Sequence, residues 1–143
     1  MLTPGTRNDR GSALLLIPAA VLVVIVLASI AVDTALVHLR QRQAVDLAAS
    51  AANDAVTAGA DPHRLRAGDT ALDPASARRA VDQALAASDL APDLVGSPVV
   101  RVSDDRVEVV LQLEADHLFA DAIPGAADTT TLTARASARA EES

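Results

Sequence analysis

The chain has no cysteine, tryptophan, tyrosine or lysine, and a single phenylalanine, Phe119, among its 143 residues. Without thiols, a disulfide framework, an iron–sulfur cluster, a thiolate metal site and a cysteine nucleophile are all excluded. Having one aromatic removes the stacking platforms on which single-stranded nucleic acid is read. Positive charge is scarce too: 12 basic residues, all arginine, face 19 acids for a net charge of −7, and only Arg78 and Arg79 are adjacent. Duplex binding needs a positive field to displace counterions, so nucleic acid is not an expected partner. The six glycines are scattered and form no phosphate loop, and no serine sits in a Gly-x-Ser-x-Gly turn. The expectation is therefore a protein that is not an enzyme, with no catalytic residue, no cofactor, no metal and no small-molecule substrate.

What the chain does have is a long apolar run. Residues 13–32, ALLLIPAAVLVVIVLASIAV, carry no charge. At about 1.5 Å per helical residue they span roughly 30 Å, the thickness of a bilayer's hydrocarbon core. A soluble domain of this size could hardly cover such a helix on every side, so the run reads as a transmembrane helix. Pro18 falls within its first two turns, where a missing N–H is better tolerated than at the centre. Arg7 and Arg10 flank the amino-terminal end, whereas Asp33 comes first on the other side. This bias orients the amino terminus toward the cytoplasm. Beyond the span the chain carries net −8, because Arg7, Arg10 and Asp9 are left behind. Such a charge disfavours contact with anionic headgroups and suggests a domain held off the membrane on a stalk. A competing reading is a cleavable secretory signal with small residues at Ser29-Ile30-Ala31, although its apolar run exceeds the usual ~7–15 residues.

The expected organisation is a short cytoplasmic tail (1–12), a transmembrane helix (13–32), a helical extension (33–59) and a small extracytoplasmic α+β domain (60–143). The extension lacks proline and internal glycine, so one helix of about forty-five residues should continue from the span to Gly59, with that glycine as its C-cap. Val45, Ala48, Ala49, Ala52 and Val56 mark its apolar face. Residues 60–72 read as a loop. Asp73-Pro74 then opens a second helix through about Ser88, with Ala77, Val81, Ala84 and Leu85 as its stripe.

From Val99 the period becomes two. A hairpin centred on Asp104-Asp105 would set Val102 opposite Val107, Val100 opposite Val109, and Arg101 opposite Glu108 on the other surface. Val109, Leu111 and Leu113 continue inward. After an apolar connection ending at Pro124-Gly125, a last strand over 129–139 alternates again, with Leu132, Ala134, Ala136 and Ala138 inward. So many small side chains require a close partner, which the alanines of the long helix can supply. The sum is an α+β fold: a three-stranded antiparallel sheet on the outer half of a long helix, flanked by a short one.

Several residue patterns bear on function. Arg10-Gly11-Ser12-Ala13 precedes the span, Val32-Asp33 ends it, and Leu39-Arg40-Gln41-Arg42-Gln43-Ala44-Val45-Asp46-Leu47-Ala48-Ala49-Ser50-Ala51-Ala52 follows. With the Pro124-Gly125 connection and the terminal Thr133-Ala134-Arg135-Ala136-Ser137-Ala138, this order resembles the TadE/TadG-like proteins of the tight-adherence (Flp) pilus system. The resemblance implies a pilin-like, single-pass pseudopilin-like component of a pilus or related secretion apparatus, partnered by the membrane and by other small single-pass subunits. It also implies prepilin-type processing between Gly11 and Ser12. That family's processed members usually carry a glutamate at the fifth mature position, where this chain has Leu16. The missing carboxylate favours a membrane-retained assembly component over a filament building block. The alternative function is a secreted or membrane-anchored extracytoplasmic binding module; a hydrolase is a distant third, lacking a nucleophile–base pair. Asp116-His117 with Asp121 reads as solvated connection rather than a metal site, His38 as interfacial and His63 as a loop residue. Asp33 marks the water boundary, with pairing to another subunit as the weaker reading.

Overall fold

The computed structural model describes residues 10–61, 63, 66–69, 71–117, 119 and 129–140, with side chains from Leu16 onward. Helix α1 (Arg10–Gly59) runs unbroken for 50 residues and holds Pro18 in its interior; at about 1.5 Å per residue it is roughly 75 Å long. Helix α2 (Pro74–Ala86) begins where expected. Asp73 caps it, accepting the backbone N–H groups of Ala75 and Ser76 at 3.3 and 3.0 Å, and Pro74 occupies the first helical position, where no N–H is needed. A 3₁₀ turn (Ala91–Asp93) leads into strands β1 (Val99–Val102), β2 (Arg106–Asp116) and β3 (Thr129–Arg139).

The strands form an antiparallel meander in the order β1-β2-β3. Val102 pairs with Val107, Val100 with Val109 and Arg101 with Glu108, the register that the alternation dictates. Ser103 N–H donates to Arg106 O at 2.8 Å and closes a two-residue turn over Asp104 and Asp105. Neither aspartate has a positive φ, so the turn is not of the primed type that favours Asn-Gly. Along β3, Leu132 and Ala134 are buried and Ala136 and Ala138 partly so, while Arg135, Ser137 and Arg139 face out. The apolar connection before β3 lies outside the described residues, apart from His117 and Phe119.

One face of the sheet and the stripe of α2 close on the carboxyl-terminal half of α1. The core joins Ala44, Ala48, Ala51, Ala52 and Ala55 of α1 to Ala77, Val81 and Leu85 of α2 and to Val107, Val109, Leu111, Leu113 and Ala134 of the sheet. Two expectations for α1 are corrected here. Its buried stripe holds Ala48 and Ala52 as read, with Ala49 and Val56 partly buried, but Ala44, Ala51 and Ala55 are fully buried as well while Val45 keeps 39% of its surface. With a sheet on one side and a helix on another, the closest approach falls along the smallest side chains, and valine is turned to the rim. Gly59 is also no left-handed cap, since its φ is not positive. A Cβ there would lie 3.3 Å from Asp73 O and 3.4 Å from the Leu72 Cβ. Close packing of the α2 entry against the helix end therefore explains the glycine.

Residues 60–72 are not wholly irregular either. His63 and Arg66 have helical backbone, and Asp61 Oδ1 accepts the His63 N–H at 2.8 Å, which favours a local turn. Finally, α1 beyond the apolar run is not a bare stalk. From Gln41, whose Nε2 donates to Thr133 O at 3.1 Å, it is part of the domain. The hairpin tip lies by the far end of α1: Leu72 N–H donates to Asp104 O at 3.0 Å and Asp73 N–H to Gly59 O at 2.9 Å. The opposite end of the sheet therefore points toward the apolar run.

Candidate membrane and docking surfaces

Among the described residues, none covers the stretch of α1 from Leu16 to Leu27. Leu16, Ile17 and Leu22 keep more than 60% of their surface, and every large apolar side chain from Leu16 to Leu27 is exposed. This helix is long and apolar enough to cross a membrane, and none of its most apolar stretch is buried. Among its described side chains, the hydroxyls of Ser29 and Thr34 are bonded within the helix. Ser29 Oγ donates to Ile25 O at 2.9 Å and Thr34 Oγ1 to Ile30 O at 2.8 Å. A side chain bonded to its own helix exposes no unpaired donor to hydrocarbon.

At the carboxyl end of this stretch Asp33 is half-buried, and its Oδ2 accepts the backbone N–H of Phe119 at 3.3 Å. An intrachain contact thus engages the carboxylate that the sequence suggested for the water boundary or for another subunit. Just beyond, Ala35, His38, Leu39, Gln41 and Arg42 line a shallow open depression of about 480 Å³ on one side of α1. Val45 and Asp46 continue it as a second hollow of about 350 Å³. The Arg40 guanidinium lies 3.4 Å from the Asp93 carboxylate and ties α1 to the 3₁₀ turn.

The solvent face of the sheet is organised by charge. Glu108, on the central strand, is bonded to Arg101 of β1 at 3.2 Å and to Arg135 of β3. The Arg101 guanidinium first, and Arg135 after it, hold the Glu108 carboxyl below the usual carboxylate range. Arg139 pairs with Asp105 of the hairpin tip at 3.0 Å. The Asp73 carboxyl is likewise lowered, by hydrogen bonds from the Ser76 hydroxyl and then from the Ser76 and Ala75 backbone. Both shifts have structural causes, a strand tie and a helix cap, rather than catalytic ones.

The residues singled out in the sequence do not converge. Gly11 and Ser12 lie in the first turn of α1, with their side chains outside those described. His38 is exposed on α1, His63 is exposed near Asp61, and His117 is half-buried after β2. Asp121 lies outside the described residues. Among the described residues there is no group of three or more metal-capable side chains, and no polar or charged residue is buried. The feature that sequence reasoning missed is the Asp33–Phe119 contact, which joins positions 86 apart and leaves no periodic signal.

Searches of protein-family models, curated proteins and solved structures find no match to this chain.

Proposed function

We propose that this protein is a single-pass membrane component of a TadE/TadG-like, tight-adherence (Flp-type) pilus or related secretion apparatus. Its amino terminus is cytoplasmic and its small pilin-like domain extracytoplasmic, and it works by packing rather than by chemistry. The observation that carries this reading is the continuity of α1. One helix is bare and apolar from Leu16 to Leu27 and forms the alanine-lined centre of a folded domain over its second half. A helix shared in this way transmits the position of the membrane segment directly to the domain surface, as lateral assembly with other small single-span subunits requires. The motif around Gly11-Ser12 and the basic Gln/Ala-rich extension support the same family. Leu16, in place of a carboxylate, favours retention as an uncleaved assembly component.

A second reading, an extracytoplasmic binding module released after Ala31, draws on one observation: the buried core begins at Ala44, so such a cut would leave it whole. The two are separated by solubilising native membranes in mild detergent, isolating the protein with its neighbours and measuring intact mass. The proposal expects a chain starting at Met1 that copurifies with other small single-span proteins. A free soluble species starting near Val32 overturns it in favour of the module.

A further inference from the structure

The geometry points to a second contact with lipid, in which Phe119, pinned by Asp33, rests in the headgroup layer beside the outer end of α1. The inference deepens the reading of α1 as a membrane span and rests on it. If the span ends at Val32, Asp33 stands about one helical rise, 1.5 Å, beyond the hydrocarbon boundary. The polar layer outside that boundary is about 5–8 Å thick on each side. Asp33 Oδ2 accepts the Phe119 N–H at 3.3 Å, so the Phe119 backbone can lie only one aspartate side chain plus one hydrogen bond from α1 at this level. That keeps it at or beside the headgroup layer.

The chemistry of the contact suits that depth. Phe119 is the chain's single aromatic, and it keeps 39% of its surface rather than turning into a core built of alanine, valine and leucine. Apolar rings of this kind sink into the boundary between headgroups and acyl chains. A carboxylate at the same depth is costly without donors, and a backbone N–H supplies one. Contact at both α1 and Phe119 fixes the rotation of the domain about the helix, so a defined side of the sheet faces any neighbour. The domain thus meets the bilayer at two points instead of standing off it.

The absence of tryptophan and tyrosine makes the test clean, because an introduced tryptophan is the only strong fluorophore. Full-length F119W, V24W and S137W are each reconstituted into phosphatidylcholine vesicles whose acyl chains carry bromine at a shallow or a deep position. The inference expects F119W to emit to the blue of S137W and to lose more intensity to shallow than to deep bromine. V24W should show the reverse order, and S137W, on the solvent face of the sheet, should lose none. Adding D33A to F119W should shift its emission to the red and weaken its quenching. If F119W is as red and unquenched as S137W while V24W is quenched, the second contact is wrong and the span stands. If V24W is also unquenched, the span itself fails and this inference with it. Unchanged quenching of F119W by D33A overturns the pinning.

Discussion

Gln41 and Thr133 lie 92 positions apart, and the Gln41 Nε2 donates to the Thr133 carbonyl at 3.1 Å. The bond runs from α1 to β3, one of the two edge strands of the sheet. An uncovered edge is a template for pairing with another chain. By occupying a carbonyl of β3, Gln41 both fixes the strand on the helix and blocks the edge at that point. Q41A should therefore cost about 0.5–1.5 kcal/mol, the net worth of one intramolecular hydrogen bond. Thermal unfolding in detergent, followed by circular dichroism, reads this loss, and an unchanged midpoint would show that the bond contributes nothing.

The alanine stripe sets the distance between α1 and its covering elements. Ala48 is fully buried in it, one residue type away from a clash. A48L should destabilise by about 1–3 kcal/mol or more, because a close-packed interior cannot absorb the extra volume. V45L, at the exposed rim, should change stability by no more than about 0.5 kcal/mol. Comparing the two midpoints checks which face is buried, and equal effects would contradict the assigned face.

On the sheet side, Leu111 is 1% exposed and central to the core. L111A leaves a cavity and should cost about 2–5 kcal/mol. A loss below about 1 kcal/mol in the same unfolding experiment would mean that the sheet does not close on α1 as described.

Gly59 tests a different kind of closeness. A valine there would place its Cβ 3.3 Å from Asp73 O, a backbone atom that cannot swing aside, with branches beyond it. G59V should lower the midpoint clearly, whereas G68A, at an open position with φ of +76°, should act only through backbone strain. A G59V protein as stable as the parent would contradict the packing of the α2 entry on the helix end.

Acid should weaken the strand tie on the outer face. The Glu108 carboxyl is held below its ordinary value of 4.5 by Arg101 and then Arg135. A group whose folded pKa is depressed stabilises the fold above its unfolded pKa, and that contribution disappears as pH falls through the folded value. The midpoint of the parent should thus drop more steeply below pH about 4.5 than that of E108Q, with Asp73 contributing to both curves in the same sense. Parallel curves would remove Glu108 from the account.

The register of the sheet was legible because strand period and charge pairing agree. With two aspartates as the turn, Val102, Val100 and Arg101 find their partners without further information. The start of α2 was legible for the same reason, since Asp73-Pro74 states its own chemistry. The buried side of α1 was legible only in part: Ala48 and Ala52 are buried as their spacing indicates, and Val56 packs on the core, but Val45 is exposed. In an alanine-rich helix, alanines occur on every side, so the spacing alone does not fix the centre of the covered face. Which side is covered depends on where the sheet and α2 meet it. The role of Gly59 and the use of Asp33 were hidden similarly, because each is defined by a residue remote in sequence.

Every surface described above takes its meaning from the solvent around the first half of α1. The direct measurement is partition of the full-length chain, expressed in cells, between an alkaline carbonate wash and the membrane pellet, followed by detergent extraction. The account predicts that the intact chain stays in the pellet and enters solution only with detergent. Recovery of the intact, folded chain in the wash, monodisperse without detergent, would contradict it.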